Sequence, residues 1–345
     1  MAAPTVALND NTRFTFLDVL KRENKDQQAL LLGNALAQTN EILEHLLFIK
    51  GNEKSGNRVG KVTSLGQASR RRANQGVSPS KGEVDNQYDA CSIWADRIAV
   101  DELVLNQTPD YSMLIQQEIE LKRENLNIQM AYDLFYGSPA SIIDSMIGIQ
   151  PRLNTSTIPT VVLGAGGSAL TSAYLLTHEI NTFMAFYPES HPGGIKYINR
   201  GPNQPITDAT GKTFYGEVHD LEWAMGISLK NERRCARVCN IPSGSLSAYG
   251  SLTSLNSGAT STANGPDILD LLLRGQNAVQ NIKDSNKVWY VNRTILSYLA
   301  RQFFAKPNHW VTRQELEDQA QPLWRLMGVR VALVEQITNS ETAVV

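Results

Sequence analysis

The run Val161-Val162-Leu163-Gly164-Ala165-Gly166-Gly167-Ser168-Ala169 has the residue types and spacing that could most readily do chemistry. It fits the G-x-G-x-x-G/A pattern in which a strand ends, glycines let the backbone approach a pyrophosphate, and a helix N-terminus receives the charge. Glu189 follows about 20 residues on, where such a unit keeps its ribose-binding acid. An NAD(P)-dependent oxidoreductase using Gly164–Ala169 is therefore one reading. The context argues against it. The stretch from Ser168 to Ile180 is barely long enough for the required helix, Glu189 already sits beyond Pro188 in a Pro/Gly loop, and no further βαβ unit follows to build a crevice.

Cys235 and Cys239 stand four apart, a spacing that puts two thiols on one face of a strand, but no Cys or His pair nearby completes a four-ligand set. His45, His178, His191, His219 and His309 are scattered without a metal-binding arrangement. There is no nucleophile elbow and no P-loop. The expectation is no catalytic residue, no metal and no cofactor.

Composition agrees with a structural role. The chain has 345 residues, a net charge of −2 and a 42% hydrophobic content, ordinary for a globular protein with more than one domain. Near-neutral charge excludes a wholesale nucleic-acid-binding surface. No apolar run is long enough to cross a bilayer, the N-terminus lacks the basic and apolar regions of a signal peptide, and three cysteines suit a reducing compartment. A soluble protein made in a cytoplasm is expected.

The element around which the rest must be organised is the stretch from Thr108 to Gly137. Thr108 suits an N-cap, Pro109 suits the first helical position, and Gly137 can adopt the left-handed conformation that ends a helix. Leu114, Leu121, Ile128 and Phe135 recur every seventh residue, and Ile115, Ile119, Leu126 and Met130 widen the stripe. Glu118, Lys122, Glu124 and Asn125 form a wet face. The spacing predicts a helix over 109–136, roughly 40 Å long, with Leu121 and Ile128 buried at its middle.

Before this helix, residues 1–25 read as a polar arm and 26–48 as helical. Residues 51–90 are rich in Gly, Ser and Asn. Val59, Val62 and Leu65 are too few for a core of their own, so a two-stranded hairpin that rests on something else is predicted. Residues 91–106 read as a strand or a short helix. After the long helix come a turn-rich connection, strands at 160–164 and 182–188, and a run at 172–177 that is equally strand or helix. A loop then covers 188–212. Residues 213–241 give two β runs, read as an antiparallel pair with Cys235, Cys239 and Ile241 on one face. Residues 242–265 are low-complexity Ser/Gly/Thr, expected to be exposed and easily cut. Pro266 and Asp267 open a helix, residues 288–304 pass from strand to helix, and the chain closes on a strand near 328–338. The fold class is α+β.

An ordered series of motifs runs through this pattern. Ala37-Gln38-Thr39-Asn40-Glu41-Ile42-Leu43 with Gly51-Asn52, then Arg72-Ala73-Asn74-Gln75-Gly76 to Lys81, then Phe135-Tyr136-Gly137, resemble major capsid proteins of short-tailed bacteriophages. So do Phe186-Tyr187-Pro188, Gly193-Gly194-Ile195, Asp220-Leu221-Glu222-Trp223 through Gly226 to Arg237-Val238-Cys239-Asn240-Ile241, and Gly328-Val329-Arg330-Val331 through Thr338 to Glu341. The resemblance implies the Johnson fold. It places an N-terminal arm and helix at 1–50, an extended loop at 51–90, a peripheral domain at 91–150 and 211–241 with 109–136 as its spine helix, and an axial domain at 151–210 and 242–345.

It also implies self-assembly into hexamers and pentamers of an icosahedral shell, with scaffolding, portal and cement or decoration proteins as partners. Double-stranded DNA would be enclosed without sequence-specific contact, with no membrane partner. The protein would be made in a host cytoplasm and reside in the virion. On this reading the hairpin's core is a neighbouring subunit. Arg70, Arg71 and Arg72, read as alternating along a strand, and Lys81 are intersubunit contact candidates, because an arginine fork can hold a carboxylate through partial burial. Glu118, Glu120 and Glu124 are candidate acidic partners, and packaged DNA is the rival one.

Overall fold

A computed structural model describes residues 40–107, 111–167, 169–191, 194–207, 211–243, 267–280, 286–305, 311–314 and 323–345. The expected arm, the Thr108–Pro109 helix start and nearly all of the Ser/Gly/Thr stretch lie outside these residues. Contacts divide the chain into two compact units. One comprises, among the described residues, Ile93–Met130 and Gly194–Ala224; the other comprises Thr39–Ser92, Ala131–Gly193 and Met225–Val345.

The described chain begins with a short helix α1 (Ile42–His45) and strand β1 (Phe48–Lys50). The helix expected through residue 48 is thus cut short: Leu46 already has extended backbone, and β1 joins a sheet. The hairpin follows as β2 (Gly56–Ser64) and β3 (Glu83–Ala90), paired antiparallel from Gly56↔Ala90 to Ser64↔Glu83. Strand β4 (Ser92–Asp101) and helix α2 (Glu102–Gln107) lead to the long helix α3 (Tyr111–Tyr136).

The buried apolar side chains of α3 are Leu114, Ile115, Leu126, Met130, Ala131, Leu134 and Phe135. Leu121 and Ile128 are only half-buried, which corrects the heptad reading. A straight helix drifts about 20° per heptad from a seven-residue repeat, so the covered stripe slides off those positions. Gly137 closes the helix without positive φ. A Cβ there would lie 2.5 Å from the carbonyls of Asp133 and Met146, and its amide bonds Asp133 O at 2.8 Å. Glycine is required by this close approach, not by a left-handed turn.

In the first unit, β10 (Thr213–Leu229) contributes Thr213–Ala224. It pairs antiparallel with β8 (Ile195–Asn199) and β9 (Gln204–Thr207), and β4 belongs to the same sheet. These two strands lie inside the segment read as a loop; their lengths of five and four residues were too short to show a pattern among Gly, Pro and Asn. Gly216 is essential to this packing, since a Cβ would sit 2.1 Å from Val100 O.

In the second unit, β1 and the last residues of β10 flank β7 (Phe183–Tyr187). A separate seven-stranded sheet has the order β13 (Val311–Gln314), β14 (Leu323–Leu326), β15 (Val329–Leu333), β12 (Lys287–Val291), β6 (Leu170–Thr177), β11 (Ala236–Pro242), β5 (Val161–Leu163). All eight residues of β6 are buried, which is why the run showed no alternation and could not be told from a helix.

Helix α5 (Ile268–Ala278) covers this sheet. Asp267 caps it by accepting from the Leu269 amide at 3.0 Å, and Ile268, Leu271, Leu272 and Gly275 face inward. Helix α6 (Arg293–Ala305) follows β12 as expected. Trp289, Val238, Leu272 and Ile295 lie in the resulting core.

Two further expectations fail. β10 and β11 are not a pair: a 3-10 turn at Glu232–Arg234 sends them into different sheets. Nor does β11 keep one apolar face, because its register shifts between Val238 and Ile241, where Asn240 has φ 56°. Arg237 is fully buried.

Candidate intersubunit surface

The hairpin is rooted by a buried carboxylate. Asp89, on β3, is 1% exposed and accepts from Arg152 Nη2 at 2.7 Å, Ser228 Oγ at 2.7 Å and Gln87 Nε2 at 2.9 Å. Arg152, at the end of helix α4 (Ile149–Arg152), also donates to the carbonyls of Ile147 and Ile227. Gly56 lies where any Cβ would be 2.6 Å from Asp89 O. Farther along β2, Lys61 pairs with Glu232, and the Asn52 side chain donates to Arg58 O and accepts from the Arg58 amide, both at 2.7 Å. The root of the hairpin is therefore held by hydrogen bonds and ion pairs.

Beyond that root it is exposed. Val62 and Val84 face each other across the strands with 58% and 65% of their surfaces open, and Leu65 and Val77 are likewise exposed. Such apolar residues gain nothing from solvent. Arg70, Arg71, Arg72 and Lys81 all lie in the excursion at 65–82, between the two strands. The three arginines are not in a strand, so the alternating-face expectation fails. Arg72 begins a turn closed by the Gln75 amide on Arg72 O, with Asn74 at φ 63°, and Arg71 Nε donates to Gln75 O at 2.8 Å. Glycine, serine and asparagine supply neither the side-chain pairing nor the β-propensity to extend the ladder.

Glu118, Glu120 and Glu124 lie on the part of α3 that belongs to the first unit; Glu120 is exposed and the other two are half-buried. In that unit Lys122, assigned to the wet face, bonds Asp96 at 2.8 Å. A stronger cluster surrounds Asp220 on β10, which accepts from Arg97 Nε at 2.6 Å and from Arg200. The Arg97 hydrogen bond holds the Asp220 carboxyl below its usual range, against the opposing effect of burial. Sequence reasoning missed the pairs made by Asp89, Arg152 and Asp220. Arg152 is 63 residues from Asp89 and Arg97 is 123 from Asp220, and no spacing signals either pair.

The glycine-rich loop does not form a phosphate cradle. β5 pairs parallel with β11, the loop turns through Gly166 and Gly167 at φ 73° and 125°, and the chain continues into strand β6 instead of a helix. The amides of Gly164 and Gly166 bond the carbonyls of Cys239 and Asn240 at 2.8 and 3.1 Å. Glu189 pairs with Lys50 at 2.6 Å. Without a helix N-terminus aimed at the loop, the dinucleotide reading has no support. Cys235 is fully buried and its thiol is pushed up to about 12 by desolvation. No group of three or more His, Cys, Asp or Glu side chains is placed to hold a metal among the described residues.

The family model described as major capsid protein GP7 matches residues 24–345. A chain of the bacteriophage Epsilon15 structure is similar at TM-score 0.72 and 22% identity, over 98% of this chain and 99% of that one. The bacteriophage JBD30 capsid is similar at TM-score 0.47 and 10% identity, over 88% and 92%. The SrpI encapsulin complex of Synechococcus elongatus PCC 7942 is similar at TM-score 0.44 and 10% identity, over 66% and 95%. Comparison with curated protein sequences finds no match.

Proposed function

Because the chain belongs to the major capsid protein GP7 family, we propose that its hairpin is the arm by which one subunit grips the next in the shell. The protein is a structural capsid component of the virion and not an enzyme, and its fold is that of tailed-phage capsid proteins. The finer reading is ours. Subunits assemble into hexamers and pentamers, with residues 91–150 and 211–241 as a peripheral domain and 151–210 and 242–345 as an axial one. The shell encloses double-stranded DNA without reading its sequence, works with scaffolding, portal and cement proteins, and is built from chains made in the host cytoplasm.

One observation carries the grip: a hairpin fixed at its root by buried Asp89 but open at Val62, Val84, Leu65 and Val77. A two-stranded ribbon has too little apolar contact to be stable alone in water. Docked on another copy, those residues are covered, and Arg70, Arg71, Arg72 and Lys81 can reach carboxylates such as Glu118, Glu120 and Glu124 of that copy. Arginine keeps its charge and its planar fork under partial burial.

The test is the double variant Arg70→Glu, Arg72→Glu in the full chain. It is expected to give a folded subunit that light scattering finds unassembled, whereas the parent gives megadalton particles. Normal empty shells that fail only to package DNA would overturn the grip and assign the arginines to nucleic acid.

A further inference from the structure

A polar cluster formed by His45, His178 and Tyr290 has no part in the grip. The Tyr290 hydroxyl, on a fully buried residue of β12, lies 2.7 Å from His178 Nε2 and 3.0 Å from His45 Nδ1. His178 directly follows β6, is 5% exposed and meets the Phe183 ring edge-on with centroids 5.6 Å apart. His45, on α1, is half-buried. The two imidazole centroids are 6.2 Å apart.

One hydroxyl carries one proton, so it can donate to only one of the two rings. Among the described residues, His178 Nδ1 is buried without a hydrogen-bond partner. A bare nitrogen is cheaper to leave there than an N–H, since orphaned buried donors are rarely tolerated. This assigns the chain of bonds: His178 Nε2–H donates to Tyr290, and Tyr290 O–H donates to His45 Nδ1.

Protonation at either end leaves a buried donor without an acceptor. A proton on His45 Nδ1 removes the acceptor of the Tyr290 hydroxyl. A proton on His178 Nδ1 creates a buried N–H without an acceptor, and the second charge lies close to the first. The surrounding groups divide. Arg330 on β15 opposes a charge on His45, while Glu41 and Glu44 on its own segment favour it; burial has the largest effect and holds the ring below its usual range. Burial and then His45 hold His178 down to about 4. Glu179, next to His178, is paired with Arg234 at 2.6 Å.

We propose that His45, Tyr290 and His178 form an acid-sensitive latch that holds the segment Asn40–Leu47 against the sheet at neutral pH and releases it when the rings are protonated. Among the described residues the segment's other ties are an Arg330–Glu41 ion pair of 2.8 Å, the Leu333 amide on Glu41 Oε1 at 3.3 Å, backbone bonding of Asn40 and Glu41 to Val334 and Leu333 and of Leu47 O to the Ala185 amide at 3.0 Å, and the buried side chains of Ile42 and Leu46. Because both rings have depressed affinities for protons, stability is intact above about pH 6.5 and falls as the pH drops below it.

The test is hydrogen–deuterium exchange of the full chain at about pH 7 and about pH 4.5, corrected for the intrinsic pH dependence of exchange. The peptide containing Asn40–Leu47 is expected to open roughly tenfold or more in acid, while α5 does not change. The variant His45→Gln, His178→Gln is expected to lose that dependence. Histidine C2–H exchange on the unaltered protein reads the ring affinities even where the variant does not fold. Titration of both rings at their ordinary value, equal protection of the segment at both pH values, or acid opening that persists in a folded variant would each overturn the latch.

Discussion

Arg237 and Glu341 form an ion pair of 2.9 Å in which both side chains are almost completely out of solvent, at 0% and 2% exposure. Arg237 also donates to Leu153 O and Ser172 Oγ, its guanidinium lies over the Tyr174 ring at 5.6 Å, and Glu341 accepts from Tyr136 at 2.6 Å and from Ser172. The pair ties the C-terminal segment to β11 within the second unit. Removing one partner leaves an uncompensated buried charge. Glu341→Gln should therefore cost about 3–5 kcal/mol in denaturant unfolding. The double replacement Arg237→Met, Glu341→Leu should recover most of that loss, because neither charge then remains to be desolvated.

Asp89→Asn is predicted to loosen the hairpin at its root. Arg152, whose side chain is 5% exposed, would lose its counter-charge. The expected cost is about 3–5 kcal/mol, seen as faster cleavage of residues 51–90 by a protease that leaves the α5 region intact. Cleavage at the parent rate would show that the neighbouring strand contacts hold the root without the carboxylate.

Along α3 the cost of truncation should follow burial and not the heptad. Leu126 is 2% exposed, so Leu126→Ala should lose about 2–5 kcal/mol, whereas Leu121→Ala, at a half-buried site, should lose distinctly less. Thermal unfolding of the two variants side by side decides this; equal losses would restore the seven-residue stripe.

Asp220 makes the first unit sensitive to acid. Its carboxyl is held low first by the Arg97 hydrogen bond, and also by Arg200. A depressed carboxylate binds fewer protons folded than unfolded. Its stabilisation is therefore fully present above the unfolded value of about 3.9 and is lost as the pH falls through the lower folded one. Hydrogen exchange of β8 and β10 is expected to rise in that acid window in the parent, and to show much less pH dependence in Asp220→Asn, which starts from lower protection.

Much of the second unit's local structure was legible without coordinates. Asp267 before an apolar i, i+3, i+4 run marked α5, and β12 followed by α6 was read in the correct order. The scarcity of apolar residues at 51–90 was enough to predict a ribbon without its own core, and that ribbon is β2–β3. The candidate surface was legible in part. Arg70, Arg71, Arg72 and Lys81 were assigned to the hairpin, but their departure from the strands was not foreseen, and neither Val77 nor Val84 had been singled out as exposed.

These successes share a cause. Helix caps, periodicity and turn residues act over a few positions, so the sequence by itself determines them, and the ordered motifs carried the family. Tertiary structure alone decided which strands became neighbours and which charges met. Nothing local prevents β10 from pairing with β11; they separate because β10 satisfies its backbone on β7, β8 and β9, while β11 does so between β5 and β6. The meeting of Arg237 with Glu341, 104 residues apart, follows from that choice. A buried charge is tolerable only where the whole fold brings its partner within hydrogen-bond distance, and chain spacing carries no record of that distance.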